Sequence, residues 1–77
     1  METSTVTISV VVNGEARELP EGATVADAVR AVTGRAGAES SGVAVALNDE
    51  VVRRSAWTAT RLAEADRLEV LTAVQGG

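Results

Sequence analysis

The sequence predicts an α+β fold in which a mixed sheet of four to five strands carries one main helix on one face. Two observations indicate this class: alternating apolar residues recur along the 77-residue chain, and a helical apolar spacing occurs once between them. A chain of this length forms one small domain. We therefore treat residues 1–77 as a single domain, and we expect residues 1–5 to be disordered and residues 75–77 to form a flexible tail.

The first two strands are predicted from TVTISVVVNG and the residues that follow it. Asn13-Gly14 predicts a tight hairpin turn, because both central residues of a type I′ turn require a positive φ. Residues 16–19 return as the second strand, which PEG at residues 20–22 ends. The first strand is apolar at every second position, namely at Val6, Ile8, Val10 and Val12.

The helix is predicted in TVADAVRAVTG, which begins at Thr24. Asp27 lies three residues later and gives a weaker version of the capping box, while Gly34 is placed to end the helix in the left-handed conformation. A polar loop, RAGAESSG, is predicted over residues 35–42. The apolar face of the helix has the spacing i, i+3, i+4, i+7 in Val25, Ala28, Val29 and Val32.

Three more strands are predicted after this loop. VAVALNDEVV over residues 43–52 predicts two of them around a turn at 48–50, and residues 67–74 predict the last. Residues 53–60 between them are expected to be irregular. They contain Trp57, the sole aromatic residue, which we expect to fill the core.

Because the helix covers one side of the sheet, the other side is expected to be open. Small apolar residues occupy it, which favours either a docking surface or the ordinary scatter of exposed aliphatic side chains. The candidate docking residues are Val11, Ala44, Ala46, Leu71, Ala73, Val74 and Gln75.

The composition removes most side-chain chemistry. The chain has no cysteine to act as a thiolate and no histidine to act as a general base or metal ligand. Its net charge is −4, and its seven cations are arginines without a cluster, so nucleic acid is not an expected partner. No apolar run approaches the roughly 20 residues of a membrane span, and no signal peptide is recognisable. We expect a cytoplasmic protein without a metal or a bound cofactor.

The remaining candidate for a reactive group is the end of LTAVQGG. Glycine lacks a Cβ and holds a shape poorly, but a bare, extendable segment can be threaded into the active site of a partner. Since glycine makes up about 7% of average sequence, two in succession at the last two positions occur by chance at about half a percent.

The chain resembles the ThiS family of ThiS/MoaD sulfur carriers, which have the ubiquitin-like β-grasp fold. NGE after the first strand, the NDEVV turn, the R-S-x-W run at residues 54–57 and the final QGG carry the resemblance, which covers about residues 8–77. Arg53 stands where the family commonly has proline, and Ala65 stands where it commonly has glycine. If the turn at Ala65 needs a positive φ, mild strain is expected there.

The resemblance implies a protein co-substrate rather than an enzyme. In the family, a ThiF-type partner related to ubiquitin-activating enzymes uses its own ATP and magnesium to adenylate the carboxylate that corresponds to Gly77. Sulfur from a cysteine desulfurase system displaces AMP, and a ThiG-type thiazole synthase takes the sulfur of the thiocarboxylate for the thiamine thiazole ring. Gly77 is then the chemical site, and Gly76 is the spacer that fits a narrow channel.

Other functions stay open from the sequence. Carriers that serve molybdopterin, cysteine or tRNA thiolation share the fold and the glycine tail, whereas a ubiquitin-like modifier would join Gly77 to a target lysine. Isopeptide conjugates in cells would indicate a modifier. An inert binding module would tolerate deletion of Gly76 and Gly77.

Overall fold

The fold comes from a computed structural model of the chain, which describes residues 6–33 and 42–72. The predicted α+β class is confirmed, since these described residues contain five strands and one α-helix. The elements are β1 (Thr7–Val12), β2 (Glu15–Pro20), α1 (Val25–Thr33), β3 (Val43–Leu47), β4 (Glu50–Val52), a 3₁₀ helix (Arg54–Ala59) and β5 (Arg67–Thr72). The expected disordered start, the cap at Gly34, most of the polar loop and the glycine tail lie outside the described residues.

The five strands form one mixed sheet in the order β2-β1-β5-β3-β4. The last strand of the chain, β5, therefore lies in the middle of the sheet. It pairs in parallel with β1 and antiparallel with β3. The described strand nearest the glycine tail in sequence is therefore a central strand rather than an edge strand.

Two tight turns set the register of the hairpins. Asn13 and Gly14 have φ values of 53° and 83°, and Asn48 and Asp49 have 49° and 73°. Positive φ at both central residues is the pattern of a type I′ turn, so the turn predicted at Asn13-Gly14 is confirmed. The second turn is shorter than predicted, because Glu50 already belongs to β4, where it pairs with Leu47 of β3.

The core lies between α1 and one face of the sheet. The helix contributes Val25, Ala28 and Val29, as its spacing predicts, and Val32 packs against them from a half-buried position. Val6 precedes β1 and is 57% exposed, so the alternation predicted over Val6 to Val12 gives buried side chains only from Ile8 onward. The buried apolar residues are Ile8, Val10, Val12, Leu19, Ala23, Val25, Ala28, Val29, Val45, Trp57, Leu62, Leu68 and Val70.

The stretch expected to be irregular is a 3₁₀ helix, so that prediction is wrong. The burial of Trp57 is confirmed: the side chain is 3% exposed, and its Nε1–H donates to the Val52 carbonyl at 2.9 Å. A buried indole needs such an acceptor, and the 3₁₀ helix places the ring where Val52 supplies one. Among the helices of the described residues, none is long and apolar enough to cross a bilayer.

Candidate functional site

The open face of the sheet is formed by every second residue of its central strands. On β5 the buried residues are Leu68 and Val70, so Arg67, Glu69 and Leu71 face the other way and are exposed. Two-residue alternation of this kind follows from the pleat of a strand. β5 thus contributes one large apolar residue to the open face, Leu71, which is 65% exposed and lies at the end of β5 nearest the tail in sequence.

The register brings the predicted docking residues of β3 and β5 together. Ala44 lies opposite Leu71, and Ala46 lies opposite Glu69. Ala44 is exposed and Ala46 is half-buried. Val11 also points to this face, but it pairs with Arg67 and is itself half-buried. Four of the seven predicted docking residues therefore lie on one face, namely Val11, Ala44, Ala46 and Leu71. The charged side chains of β5 lie between Val11 and the β3 alanines.

Sequence reasoning missed Val51. This side chain is 83% exposed and belongs to β4, where it lies opposite Ala46. The sequence contained a signal for Val51. A two-residue turn after Leu47 pairs Leu47 with Glu50, and the next pair along the hairpin is then Ala46 with Val51, which places Val51 on the same face as Ala46. Four side chains thus form a continuous surface over β5, β3 and β4. We call it the apolar patch, and its members are Ala44, Ala46, Val51 and Leu71.

Charged residues border the apolar patch. An Arg67 guanidinium nitrogen lies 3.8 Å from Asp49 Oδ2, and both side chains are largely exposed, so this ion pair contributes at most about 1 kcal/mol. A depression on the open face lies beside it, between the two hairpin turns. Its lining residues are Val11, Gly14, Ala46, Asp49, Arg67, Leu68 and Glu69. The open face is therefore mixed, with polar groups beside β1 and apolar groups toward β4.

A network of hydrogen bonds around Asn48 holds the start of β5. Asn48 donates its backbone N–H to the Arg67 carbonyl at 2.7 Å, and its Oδ1 accepts from the Arg67 N–H at 2.9 Å. Its Nδ2 donates to Asp66 Oδ1 at 3.0 Å, and Asp66 Oδ2 accepts from the Ala63 N–H at 2.7 Å. These bonds fix where β5 begins relative to β3.

The remaining predicted site residues, Ala73, Val74, Gln75, Gly76 and Gly77, lie outside the described residues. The structure describes the strand that leads to them as far as Thr72, and both Leu71 and Thr72 are exposed there. Leu71 is thus the predicted docking residue nearest the glycine tail for which the structure gives a position.

Comparison with known proteins agrees with this architecture. The sequence model of the ThiS family matches residues 10–77. The crystal structure of a thiamine biosynthesis protein, ThiS, from Geobacter metallireducens is 32% identical and superposes with a TM-score of 0.67, over 91% of this chain and all of that one. No curated protein gives a significant match. The family match spans all but the first nine residues, and so the chain belongs to the ThiS family of β-grasp sulfur carriers.

Proposed function

We propose that this protein carries sulfur for the thiazole ring of thiamine as a thiocarboxylate on Gly77. The observation that carries the proposal is the family match, which extends through the terminal glycines to residue 77. A solved relative described as a thiamine biosynthesis protein supports the thiamine pathway over the molybdopterin, cysteine and tRNA alternatives. The composition supports a backbone carboxylate as the carrier, because no cysteine is available to hold sulfur on a side chain.

The chemistry needs two steps at the carboxyl carbon of Gly77. A carboxylate oxygen first attacks the α-phosphorus of ATP, which releases pyrophosphate and leaves an acyl-adenylate. A sulfur nucleophile then attacks the carbonyl carbon, the bond to the adenylate oxygen breaks, and AMP leaves. Adenylation is required because a free carboxylate has no good leaving group. The protein is the co-substrate in both steps, and a ThiF-type adenylyltransferase supplies ATP and magnesium.

The fold supports this role because the surface proposed to bind partners and the glycines proposed to react are different parts of the chain. The open face offers the apolar patch, with Val11 beside it, as a surface on which a ThiF-type enzyme and a ThiG-type thiazole synthase can dock. Exposed apolar surface of this kind is typical of partner sites. A cysteine desulfurase system is the expected sulfur source. Gly76 and Gly77 lack side chains, which suits passage through a narrow channel to the partner's active site.

The test is intact-mass analysis after incubation with a ThiF-type adenylyltransferase, ATP and sodium sulfide. We expect the mass change of one terminal oxygen replaced by sulfur. One residue added after Gly77, or the change Gly77→Ala, should abolish this product while thermal unfolding stays as in the wild type. The same residue added before Met1 is the matched control and should leave loading unchanged.

Two results would contradict the proposal. One is normal thiocarboxylate formation by the protein extended beyond Gly77. The other is a cellular pool of isopeptide conjugates through Gly77 without free thiocarboxylate, which would favour the protein-modifier alternative.

A further inference from the structure

Asn13 makes two long-range bonds that its turn does not require. Its Oδ1 accepts from the Val70 N–H at 2.8 Å, and its Nδ2 donates to the Val70 carbonyl at 3.2 Å. The two residues are 57 positions apart in sequence, and the contact is partly buried. One side-chain amide thus satisfies both backbone groups of Val70 that face β1.

These bonds continue the parallel ladder beyond the end of β1. Val11 N–H donates to the Asp66 carbonyl at 2.9 Å, and Asn13 N–H donates to the Leu68 carbonyl at 2.9 Å. Parallel pairing advances in steps of two residues on each strand, so the next partner on β5 is Val70. The main chain of β1 cannot supply it, because it turns away at Gly14 into the hairpin.

The side-chain amide of asparagine has one C=O and an N–H donor in a plane, as a peptide group does. Asn13 therefore replaces the peptide groups that β1 would have contributed. As a result, β5 stays paired on its β1 side as far as Val70, two residues beyond Leu68. Val70 is seven residues before Gly77 in the sequence.

We infer that Asn13 is a positioning residue for sulfur loading, which fixes the course of β5 just before the glycine tail. The inference rests on the proposed function. Without the side chain, Val70 remains opposite Val45 of β3, but its backbone N–H and carbonyl lose their partner on the β1 side. The end of β5 then samples more conformations, and the adenylating partner must order it on binding. The cost appears in the KM for the carrier protein rather than in kcat.

Asn48 provides a matched control within the same chain. It too occupies the first position of a two-residue turn with positive φ, and its Oδ1 also accepts from a β5 backbone N–H. Its partner is Arg67, however, at the beginning of β5 rather than near the tail. The two asparagines therefore hold opposite ends of the strand. The bonds of Asn13 are partly buried and those of Asn48 are exposed, and the Nδ2 of Asn48 donates to Asp66 Oδ1.

The experiment compares Asn13→Gly with Asn48→Gly. Glycine adopts positive φ readily, so both turns are preserved while the side-chain bonds are removed. Initial rates of loading are measured against carrier concentration, with a ThiF-type adenylyltransferase, ATP and sodium sulfide. Hydrogen exchange is measured at the amides of Val70 and Arg67.

For Asn13→Gly we expect faster exchange at Val70 and a KM about tenfold higher with kcat within about twofold, on the scale of one or two net hydrogen bonds. Asn48→Gly should exchange faster at Arg67 and keep the wild-type KM. If Asn13→Gly does not fold, Asn13→Asp keeps the turn and an acceptor but loses the donor. Its KM should be at least about threefold higher.

An unchanged KM in Asn13→Gly despite faster exchange at Val70 would overturn the positioning role. Equal increases in KM for both glycine variants would also overturn it, since they would indicate a general loss of stability. A wild-type protein that takes up no sulfur would instead overturn the proposed function itself, so the two failures are distinguishable.

Discussion

Ala65 adopts a backbone conformation that alanine disfavours. It is the third residue of a turn closed by the Asp66 N–H, which donates to the Ala63 carbonyl at 3.1 Å, and its φ is 71°. Positive φ confined to the third residue is the pattern of a type II turn, where glycine is the usual choice. The strain expected at Ala65 is therefore confirmed, and left-handed backbone costs an L-residue about 1–2 kcal/mol.

Ala65→Gly should stabilise the protein. Relief of the left-handed strain exceeds the entropy that glycine adds to the unfolded chain, so we expect a gain of about 1 kcal/mol. For a domain of this size the melting temperature should rise by about 4–8 °C per kcal/mol. Thermal unfolding followed by circular dichroism measures it.

Ala59→Gly is the control, since Ala59 is exposed and its φ is not positive. It should lower the melting temperature. A lower melting temperature for Ala65→Gly as well would contradict the explanation by backbone strain.

Single residues differ in how far the sequence reveals their roles. The turn at Asn13-Gly14 could be predicted, because its signal is local: two neighbouring residues that tolerate positive φ. The bonds from the Asn13 side chain could not, since their partner lies 57 residues away. Trp57 lies between these cases, because its burial follows from its size and apolar surface but its acceptor, Val52, depends on the fold.

At the scale of the element, α1 begins as its capping signal predicts. Asp27 Oδ2 accepts from the Thr24 N–H at 2.9 Å, and Thr24 Oγ1 accepts from the Asp27 N–H at 3.3 Å. The reciprocal pair satisfies two backbone donors near the start of the helix. The negative charge of Asp27 also suits the positive end of the helix dipole. Aspartate therefore serves here in place of the more usual glutamate.

Thr24→Ala should destabilise the protein by about 1 kcal/mol, because it removes an acceptor for the N–H of Asp27. Urea denaturation followed by circular dichroism measures the loss. Thr58→Ala is the matched control, since Thr58 is exposed and lies in the 3₁₀ helix. Equal effects of the two changes would show that the loss does not arise from capping.

Elements with periodic patterns were predictable, and the 3₁₀ helix was not. In the strands and in α1, apolar residues recur at a regular spacing over several residues, and that spacing distinguishes a strand from a helix. Of the six residues of the 3₁₀ helix, RSAWTA, Trp57 is the one that is buried, so no repeat is present. The buried residue of this short helix is the indole of Trp57, and no periodic apolar pattern in the sequence indicates the helix.

At the scale of the whole molecule, the described sheet has one face that is buried in the core and one face that is open. α1 and the 3₁₀ helix supply buried residues to the core, whereas the open face keeps Leu71 and Val51 in solvent. The order of strands that creates this division was not predictable. The parallel pair joins β1 and β5, the first and last of the described strands, and nothing local in either strand specifies its neighbour.

Leu71→Asp should weaken binding to a ThiF-type adenylyltransferase by at least about tenfold, because it places a charge in the apolar patch. Its stability should change by no more than about 1 kcal/mol, since Leu71 is exposed. Affinity is measured by titration calorimetry.

Val6→Asp is the matched control, because Val6 is also exposed, lies outside the apolar patch and changes the net charge equally. Wild-type affinity in Leu71→Asp, or an equal loss in Val6→Asp, would count against the apolar patch as the docking site.

The buried indole of Trp57 has one more consequence. It is the sole fluorophore of a chain without tyrosine or phenylalanine, and it is enclosed in the core. Its emission therefore reports on the surroundings of one buried ring, and no second aromatic residue of the chain contributes to the signal. Every variant proposed above retains this residue. The folding of each purified variant can thus be followed by fluorescence without a label, before mass spectrometry measures its sulfur loading.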